Sequence, residues 1–393
     1  MVGGVVHQLH HLLSFVQVYF QQFHLDFKVT TKYMGKWADL PPELLDIILS
    51  KVFAKDRFGL VCRSWNAAVV NSPYPCSVPC MMYYYRRMRT WKFYLNNSSF
   101  FTSFPQLNDS EIHCSKHGWL LMARNNNDLF FFNPSNNQTL NLPCANGFKY
   151  DRVFFFHPPT SPDCIVVGIN TRSWKAVEIC MLKHGEYEWE RFEFPTYTEY
   201  SVSHAPPFLH HGQIYFLDLK GDVARFNIIN RSLVISRKCL SQRRDRTVEE
   251  HYLFKVKGEE ALFGVFVFNE ERDQVEVFRL SEGLSKNTTM KWALEEGIGD
   301  SVLYLSHASC FVCTAKTKTM GNRIYFPLFR GDSPVFYSLS DKKYHSLDGD
   351  YSSNNTYGLK RLDFAAWVTP SLITTTSELT ETELRWTSPP QVD

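Results

Sequence analysis

The sequence lacks the features that mark membrane proteins and several classes of enzyme. Even in the apolar first 36 residues, polar side chains interrupt every stretch of membrane-spanning length (~18 residues). There is no basic region and no clear cleavage site there either, so we expect no signal peptide. No G-x-S-x-G elbow, Gly-rich phosphate loop or H-E-x-x-H motif occurs. We therefore expect no membrane partner, no cofactor and no catalytic residues.

The sequence also lacks an excess of charge and a regular cysteine pattern. The net charge is +2, which argues against nucleic acid as a partner. The basic clusters RRMR at 86–89 and RRDR at 243–246 are interpreted as solvated loops. Ten cysteines are scattered along the chain rather than spaced as in a small disulfide scaffold. This usage favours a reducing compartment, the cytoplasm or the nucleus.

Three local groups superficially resemble metal sites. They are His7, His10 and His11; His113, Cys114 and His117; and His307, Cys310 and Cys313. The last two groups fall in strand-like sequence, where residues three apart face opposite sides, and none has a second ligand pair nearby. We interpret the cysteines as small buried hydrophobes and expect no resident metal.

Composition is sufficient for a large core. The chain has 393 residues, of which 44% are hydrophobic and 15% aromatic, enough for one large domain and a small one. Texture changes along the sequence predict five segments. They are an N-terminal extension at 1–36, a helical segment at 37–70, a Pro-rich linker at 71–80, an all-β domain at 81–370 and a disordered Thr/Ser-rich tail at 371–393.

The helical segment carries more apolar surface than so short a unit can bury alone. Asp39, Pro41 and Pro42 suit a helix start, because Asp caps free N–H groups and Pro loses no intrahelical bond there. Apolar residues then cover nearly every side of the helix, wider than the single stripe that a surface helix buries. One face is expected to pack within the chain and another to bind a partner. The competing interpretation is a helical hairpin packed on its own domain.

The pairing of LPPELL at 40–45 with VCRSW at 61–65 resembles an F-box, the segment through which substrate receptors dock onto the Skp adaptor of cullin–RING ubiquitin ligases. This resemblance implies a set of residues that line or support the adaptor contact, with Trp65 in the helical core. They are Leu40, Pro41, Pro42, Leu44, Leu45, Ile48, Val61, Cys62 and Trp65. The implied partners are the Skp adaptor and, through it, cullin.

One feature departs from the F-box pattern. The connector AKDRFGL at 54–60 is about two residues shorter than the family's usual link, which would rotate the second apolar face relative to the first. This leaves an alternative open, in which the chain is a binding module for protein or carbohydrate that has lost ligase function.

Beyond residue 80 the sequence repeats. Short apolar runs alternate with Asn, Gly, Asp and Ser, which is strand and turn chemistry. Units anchored at Gly118, Cys164, Gly212, Leu262 and Gly321 recur at intervals of about 46 to 59 residues, typical of propeller blades. Runs before the first unit and at 359–370 supply a closing blade. The sequence predicts a β-propeller of about five to six blades, with a stacked sandwich as the structural competitor.

The β region, from about 76 to 370, is similar to the kelch-like domain that follows many plant F-boxes, notably in GWLLM, LFFFNPSNNQTLNLP and GNRIYFP. Together the two resemblances imply a non-catalytic substrate receptor of an SCF-type ubiquitin ligase, which holds an unknown target protein for ubiquitination. A second hypothesis is a propeller enzyme or sugar-binding lectin. It predicts polar side chains that converge at the propeller centre.

Overall fold

The computed structural model describes residues 78–369 with short gaps, together with a few residues of the predicted F-box and of the tail. The gaps are residues 96–97, 125–127, 146, 174, 238, 241–246, 270–273, 282–289 and 316–319. The other described residues are Leu40, Pro41, Leu45, Ser64, Trp65, Ala67, Ala68 and Trp386. The chain divides into two compact units, Met1–Ser77 with Leu372–Thr376, and Val78–Ser371 with Ser377–Asp393.

The second unit is built from strands that form six sheets. Sheet one contains β1 (Cys80–Tyr85), β2 (Thr90–Leu95), β3 (Ser98–Thr102) and the late strand β27 (Ala366–Val368). Sheet two contains β4 (Glu111–Lys116), β5 (Trp119–Arg124), β6 (Asp128–Asn133) and β7 (Gln138–Asn141). Sheet three contains β8 (Arg152–Phe156), β9 (Ile165–Asn170), β10 (Ala176–Lys183) and β11 (Glu190–Pro195).

The later sheets follow in chain order. Sheet four contains β12 (Phe208–His210), β13 (Gln213–Leu217), β14 (Val223–Asn227) and β15 (Ser232–Ser236). Sheet five contains β16 (Thr247–Phe254), β17 (Phe263–Asn269), β18 (Gln274–Ser281) and β19 (Lys291–Glu295). Sheet six contains β20 (Ser301–Ser306), β21 (Ser309–Thr314), β22 (Arg323–Arg330), β23 (Ser333–Ser338), β24 (Lys343–Ser346), β25 (Ser352–Ser353) and β26 (Lys360–Arg361). A short 3-10 helix, Pro105–Leu107, precedes β4.

Sheets two to five are antiparallel meanders, and sheet one closes the ring. In sheet one β27 pairs with β1, with Met81 opposite Trp367, so the last described strand completes the first sheet. The mainly β, propeller-like prediction is thus confirmed, and the six sheets lie at the upper end of the predicted five to six. Closure of this kind leaves only short sheet edges.

Sheet six has an extra hairpin that explains the longest repeat interval. The strands β20 and β21 form an antiparallel pair before β22, and β20 runs parallel to β22. The repeat between the anchors at Leu262 and Gly321 therefore contains additional residues. This hairpin places β21 at the edge of sheet six, next to β16 and β27.

The core lies between sheets rather than in one place. One cluster joins Val177 and Ile179 of sheet three to Ile214 and Phe226 of sheet four. Further clusters join sheets two and three, four and five, five and six, and six and one. Because each sheet is apolar on both faces, each needs a neighbour on either side, and this is the packing that a propeller supplies.

Three tryptophans bridge neighbouring sheets with their indole N–H groups. Trp189 donates to the Pro143 carbonyl at 3.0 Å, and Trp292 donates to the Gly221 carbonyl at 3.0 Å. Trp367 of the closing strand donates to the Leu305 carbonyl of sheet six at 3.1 Å. A buried indole N–H requires such an acceptor, so each of these residues fixes the position of one sheet against the next.

The glycines that recur before apolar strands have a conformational reason. Gly118 and Gly212 have φ of 77° and 71° and follow His117 and His211, whose φ values are also positive. Two consecutive left-handed residues form the tight turn that joins twisted antiparallel strands. At Gly321 the reason is space instead, because a Cβ there would lie 2.7 Å from the Gly299 carbonyl oxygen.

The tail predicted to be disordered departs from that prediction at Trp386. Its side chain is fully buried, its Nε1 donates to the Pro159 carbonyl at 3.0 Å, and its ring lies 5.4 Å from Phe131 and 5.1 Å from His184. A tryptophan buries enough apolar area to offset the entropy of ordering. The other tail residues lie outside the described part of the chain.

Replacing this anchor should destabilise the propeller. We expect Trp386→Ala to lower the free energy of unfolding by about 3 kcal/mol, because a buried ring is lost and a cavity remains. Trp386→Phe keeps most of the apolar contact and loses the hydrogen bond, so we expect about 1 kcal/mol. Urea denaturation of the full chain measures both. An unchanged midpoint in Trp386→Ala would show that the tail residue is not part of the folded core.

Candidate binding site at the centre of the propeller

One edge strand of each sheet lies toward a common centre. The strand β4 contacts β8, β27 and β21, and β21 contacts β16 and β27. Direct hydrogen bonds tie these strands together. The Ser115 N–H donates to the Ala308 carbonyl at 2.7 Å, the Lys116 ammonium donates to the Pro207 carbonyl at 3.4 Å, and the Cys310 thiol donates to the Leu253 carbonyl at 3.2 Å.

A row of polar side chains lies close to these inner strands. We call it the central polar chain, and its members are Arg152, His204, His307, Glu250 and Arg361. Arg152 begins β8, His204 precedes β12, and Glu250 lies on β16. His307 lies in the turn between β20 and β21, and Arg361 ends β26. Ring closure therefore brings together residues that are up to about 210 positions apart in the sequence.

The contacts run from one member to the next. The Arg152 guanidinium lies 3.2 Å from His204 Nε2, and the rings of His204 and His307 stack with centroids 4.8 Å apart. His307 Nε2 lies 3.5 Å from a Glu250 carboxylate oxygen. The other oxygen of Glu250 accepts a hydrogen bond from the Arg361 guanidinium. The central polar chain thus links four basic residues through the single carboxylate of Glu250.

Glu250 is the electrostatic centre of this arrangement. Its side chain is only 11% exposed, and it also accepts a hydrogen bond from the Tyr252 hydroxyl at 3.0 Å. Burial alone would raise the pKa of Glu250, but the hydrogen bond from His307 and the positive charge of Arg361 together lower it below its usual value. Glu250 is therefore ionised at neutral pH, and its negative charge is paired with His307 and Arg361.

Arg152 is different, because its neighbour is a histidine. To accept from the guanidinium, the Nε2 of His204 must be unprotonated. Burial lowers the pKa of Arg152, and the charge of the adjacent Asp151 partly opposes this. The Asp151 carboxylate is itself paired with Arg172 Nε at 2.8 Å and accepts from Thr171. In the part of the chain that the structure describes, Arg152 forms no ion pair. A partly buried guanidinium with a neutral partner is suited to bind a carboxylate or phosphate.

A second group of ionisable residues, in sheet four, is structural. The Asp218 carboxylate accepts backbone N–H groups of Lys220 and Asp222, both at 2.8 Å, and lies 3.7 Å from Arg237. Burial and the charge of the nearby Asp222 raise the pKa of Asp218 to about 6, against the lowering effect of the backbone hydrogen bonds and of Arg237. Asp218 thus holds a turn by local backbone hydrogen bonds, a common role of aspartate in turns.

The cysteines considered as zinc ligands do not share a site. On β21, Cys310 packs with the cluster between sheets five and six, whereas Cys313 packs with the cluster between sheets six and one. His307 instead contacts Glu250. The described cysteines, which are eight of the ten, are all free thiols.

Part of the predicted F-box is described. The Leu45 N–H donates to the Pro41 carbonyl at 3.1 Å, the i to i−4 bond of a helix, and residues 45, 64, 65, 67 and 68 are helical. Leu40, Leu45 and Trp65 are buried. Pro42, Leu44, Ile48, Val61 and Cys62 lie outside the described residues. The adaptor contact of all nine residues stays a prediction.

Comparison with known proteins decides the family. The KIB1-4 beta-propeller profile matches residues 85–355, and the F-box domain profile matches residues 37–76. The chain belongs to the KIB1-4 beta-propeller family and carries an F-box domain. The F-box/kelch-repeat protein At1g57790 of Arabidopsis thaliana is 27% identical over 329 residues, which are 80% of this chain and 90% of that protein. The F-box protein At4g00893 of the same plant is 25% identical over 79% of this chain and 81% of its own.

Likeness to solved structures is weaker. A Bacteroides thetaiotaomicron protein of unknown function covers 75% of this chain and 84% of its own length, with 8% identity and a TM-score of 0.34. This likeness carries no argument about function. Among the helices that the structure describes, none is long and apolar enough to cross a membrane.

Sequence reasoning singled out His307, for another role, and missed the rest of the central polar chain. Arg152, His204, Glu250 and Arg361 belong to no local motif. The available signal was positional, since Arg152 and Glu250 are charged residues near the start of the first strand of a repeat, where a solvated side chain is not expected on a packed inner edge.

Removing the charge of Glu250 should cost more than removing an exposed charge. We expect Glu250→Gln to lower the free energy of unfolding by about 2–3 kcal/mol, because Arg361 and His307 lose their charged acceptor. The matched control is Glu259→Gln, which breaks the ion pair with Arg279 in which both side chains are 44% exposed, and we expect less than about 1 kcal/mol.

The pH dependence of the free energy of unfolding provides a second test of the role of Glu250. The folded-state pKa of Glu250 is lowered, so its stabilising contribution is present above the unfolded pKa of about 4.3 and is lost as pH falls through the folded value. The stability difference between the wild type and Glu250→Gln should therefore shrink below about pH 4. Urea denaturation at pH 7 and pH 3.5 measures it, and a difference that stays constant would contradict the assignment.

Proposed function

We propose that this chain is the substrate-recognition subunit of an SCF-type cullin–RING ubiquitin ligase. The observation that supports it is the order of the two matched regions, an F-box at 37–76 followed by a propeller at 85–355. The F-box docks the Skp adaptor and through it cullin, and the propeller holds a target protein. The proposed location is the cytoplasm or the nucleus.

The chain contributes position rather than chemistry. Holding the lysines of a target near a charged ubiquitin-conjugating enzyme raises their effective concentration, and the transfer itself takes place on other subunits. The receptor therefore needs two separate binding surfaces and no catalytic residue. Two compact units divided near residue 77 suit this separation of tasks.

We place target binding at the open end of the central polar chain. The Arg152 guanidinium offers N–H donors, and its neighbour His204 is exposed and neutral. Glu250 is paired with Arg361 and His307, so it does not compete with an incoming anion for Arg152. An acidic side chain of the target fits these donors, since arginine binds carboxylates with two parallel hydrogen bonds.

The adaptor contact is tested by placing charge on the predicted face. Leu44→Asp combined with Leu45→Asp should abolish co-purification with the Skp adaptor, because Leu44→Asp places a carboxylate on the predicted apolar contact and Leu45→Asp places one on the buried side of the helical segment that supports it. The control is Ala67→Asp, which adds a carboxylate at an exposed helical residue of the same segment and should leave adaptor binding intact.

Size-exclusion chromatography of the full chain with the adaptor reads both variants, and unchanged near-ultraviolet circular dichroism shows that the propeller remains folded. Adaptor binding retained by the double variant would sink the docking assignment. If the wild type itself does not bind, two residues inserted in the connector at 54–60 should restore the complex. That result would identify the short connector as the cause and favour the alternative of a binding module outside the ligase.

The target face is tested by charge reversal. Arg152→Glu should abolish capture of acidic target segments, because it replaces the proposed cation with a like charge. Lys220→Glu reverses an exposed charge in a turn of sheet four and is the matched control. Proximity labelling in plant cells treated with a proteasome inhibitor compares the proteins that each variant captures. Identical sets from Arg152→Glu and the wild type would place target binding elsewhere.

A further inference from the structure

Two adjacent histidines lie side by side in the turn between β12 and β13. Neighbouring side chains of an extended strand point to opposite faces, but His211 has a φ of 47° and Gly212 a φ of 71°. This left-handed turn ends the alternation, and the rings of His210 and His211 lie with centroids 3.9 Å apart. His211 thus adopts a backbone conformation that is uncommon for residues other than glycine, and in this conformation the two imidazoles lie on one side of the hairpin.

A carboxylate from the next sheet reaches the same point. Glu260 lies in the loop between β16 and β17 of sheet five, and its carboxylate lies 3.5 Å from His211 Nε2. One ligand atom from each of His210, His211 and Glu260 lies within 4.8 Å of the other two. Tetrahedral zinc with bonds of about 2.0–2.2 Å places its ligands roughly 3.5 Å apart, so a small rotation of exposed side chains suffices.

The backbone adds a contact of the kind found around metal ligands. The His210 ring also forms a hydrogen bond with the backbone of Glu260. An imidazole N–H that donates to a carbonyl fixes the tautomer and leaves the other nitrogen free as a ligand.

The Glu260 carboxylate already pairs with one cation, Lys255. The Lys255 ammonium lies 3.4 Å from the Glu260 carboxylate, and Lys255 directly follows the end of β16. It competes with a metal ion for that carboxylate. The side chains of His211 and Glu260 are 75% and 84% exposed, so a bound ion would complete its coordination with water and exchange freely with solvent.

We propose that His210, His211 and Glu260 bind one zinc ion that joins sheet four to sheet five at this edge of the propeller. Two imidazoles and a carboxylate suit zinc by ligand type, and water supplies the fourth position. The ion would tie the β12–β13 turn to the loop after β16. This inference is independent of the proposed ligase role.

The test uses cobalt(II) as a spectroscopic probe on the full chain, with zinc titrated calorimetrically alongside. We expect one equivalent of cobalt to give the visible absorption of a tetrahedral site. His211→Ala and Glu260→Gln should weaken binding at least tenfold, the lower limit for losing even an outer contact of a metal site. Lys255→Met should tighten it, because the competing cation is gone.

Matched controls separate this site from other ligands. His345→Ala removes a histidine that is paired with Asp341 at 2.8 Å elsewhere on the surface, and Cys144→Ser removes an exposed thiol. Neither should change the absorption or the affinity. Binding unaffected by His211→Ala and Glu260→Gln, or lost with Cys144→Ser, would overturn the proposal, as would weaker binding in Lys255→Met.

Discussion

The constraint on which this structure depends is that each of its small sheets is apolar on both faces. A single four-stranded sheet cannot cover both faces by itself, so each sheet must pack between two neighbours. The clusters between consecutive sheets meet that requirement, and β27 completes it by pairing with β1. Tryptophan N–H groups that donate across the gaps then fix each sheet in position, because a buried indole without an acceptor would be costly.

Ring closure also creates the candidate site. Inner strands from different sheets converge, and polar side chains near their first residues are forced into contact. One carboxylate, Glu250, is buried there, and it is stable only because Arg361, His307 and Tyr252 supply its partners. Arg152 completes the row with a neutral histidine. The same packing that holds the sheets together therefore produces one saturated carboxylate and one guanidinium that forms no ion pair within the described residues.

The polar side chains at the centre bear on the hypothesis of a propeller enzyme or lectin. Polar convergence is what a propeller enzyme or lectin would require, and it is present. The pKa of Glu250 is lowered, which suits a paired carboxylate or a base at neutral pH and not a general acid, which needs a raised pKa. A rigid, ionised row next to an available arginine suits recognition of a charged segment. This agrees with a chain that combines an F-box with a propeller.

The sequence by itself determined the local and repetitive features. Strand and turn patterns, the repeat interval and the left-handed glycines follow from short-range chemistry, and LPPELL with VCRSW indicated the F-box before any fold was known. Only the tertiary structure decided the central polar chain, the burial of Trp386 in a tail that its composition predicted to be disordered, and the approach of Glu260 to His210 and His211. The physical reason is that these contacts join residues about 50 to 230 positions apart, and ring closure, not local propensity, sets which of them meet.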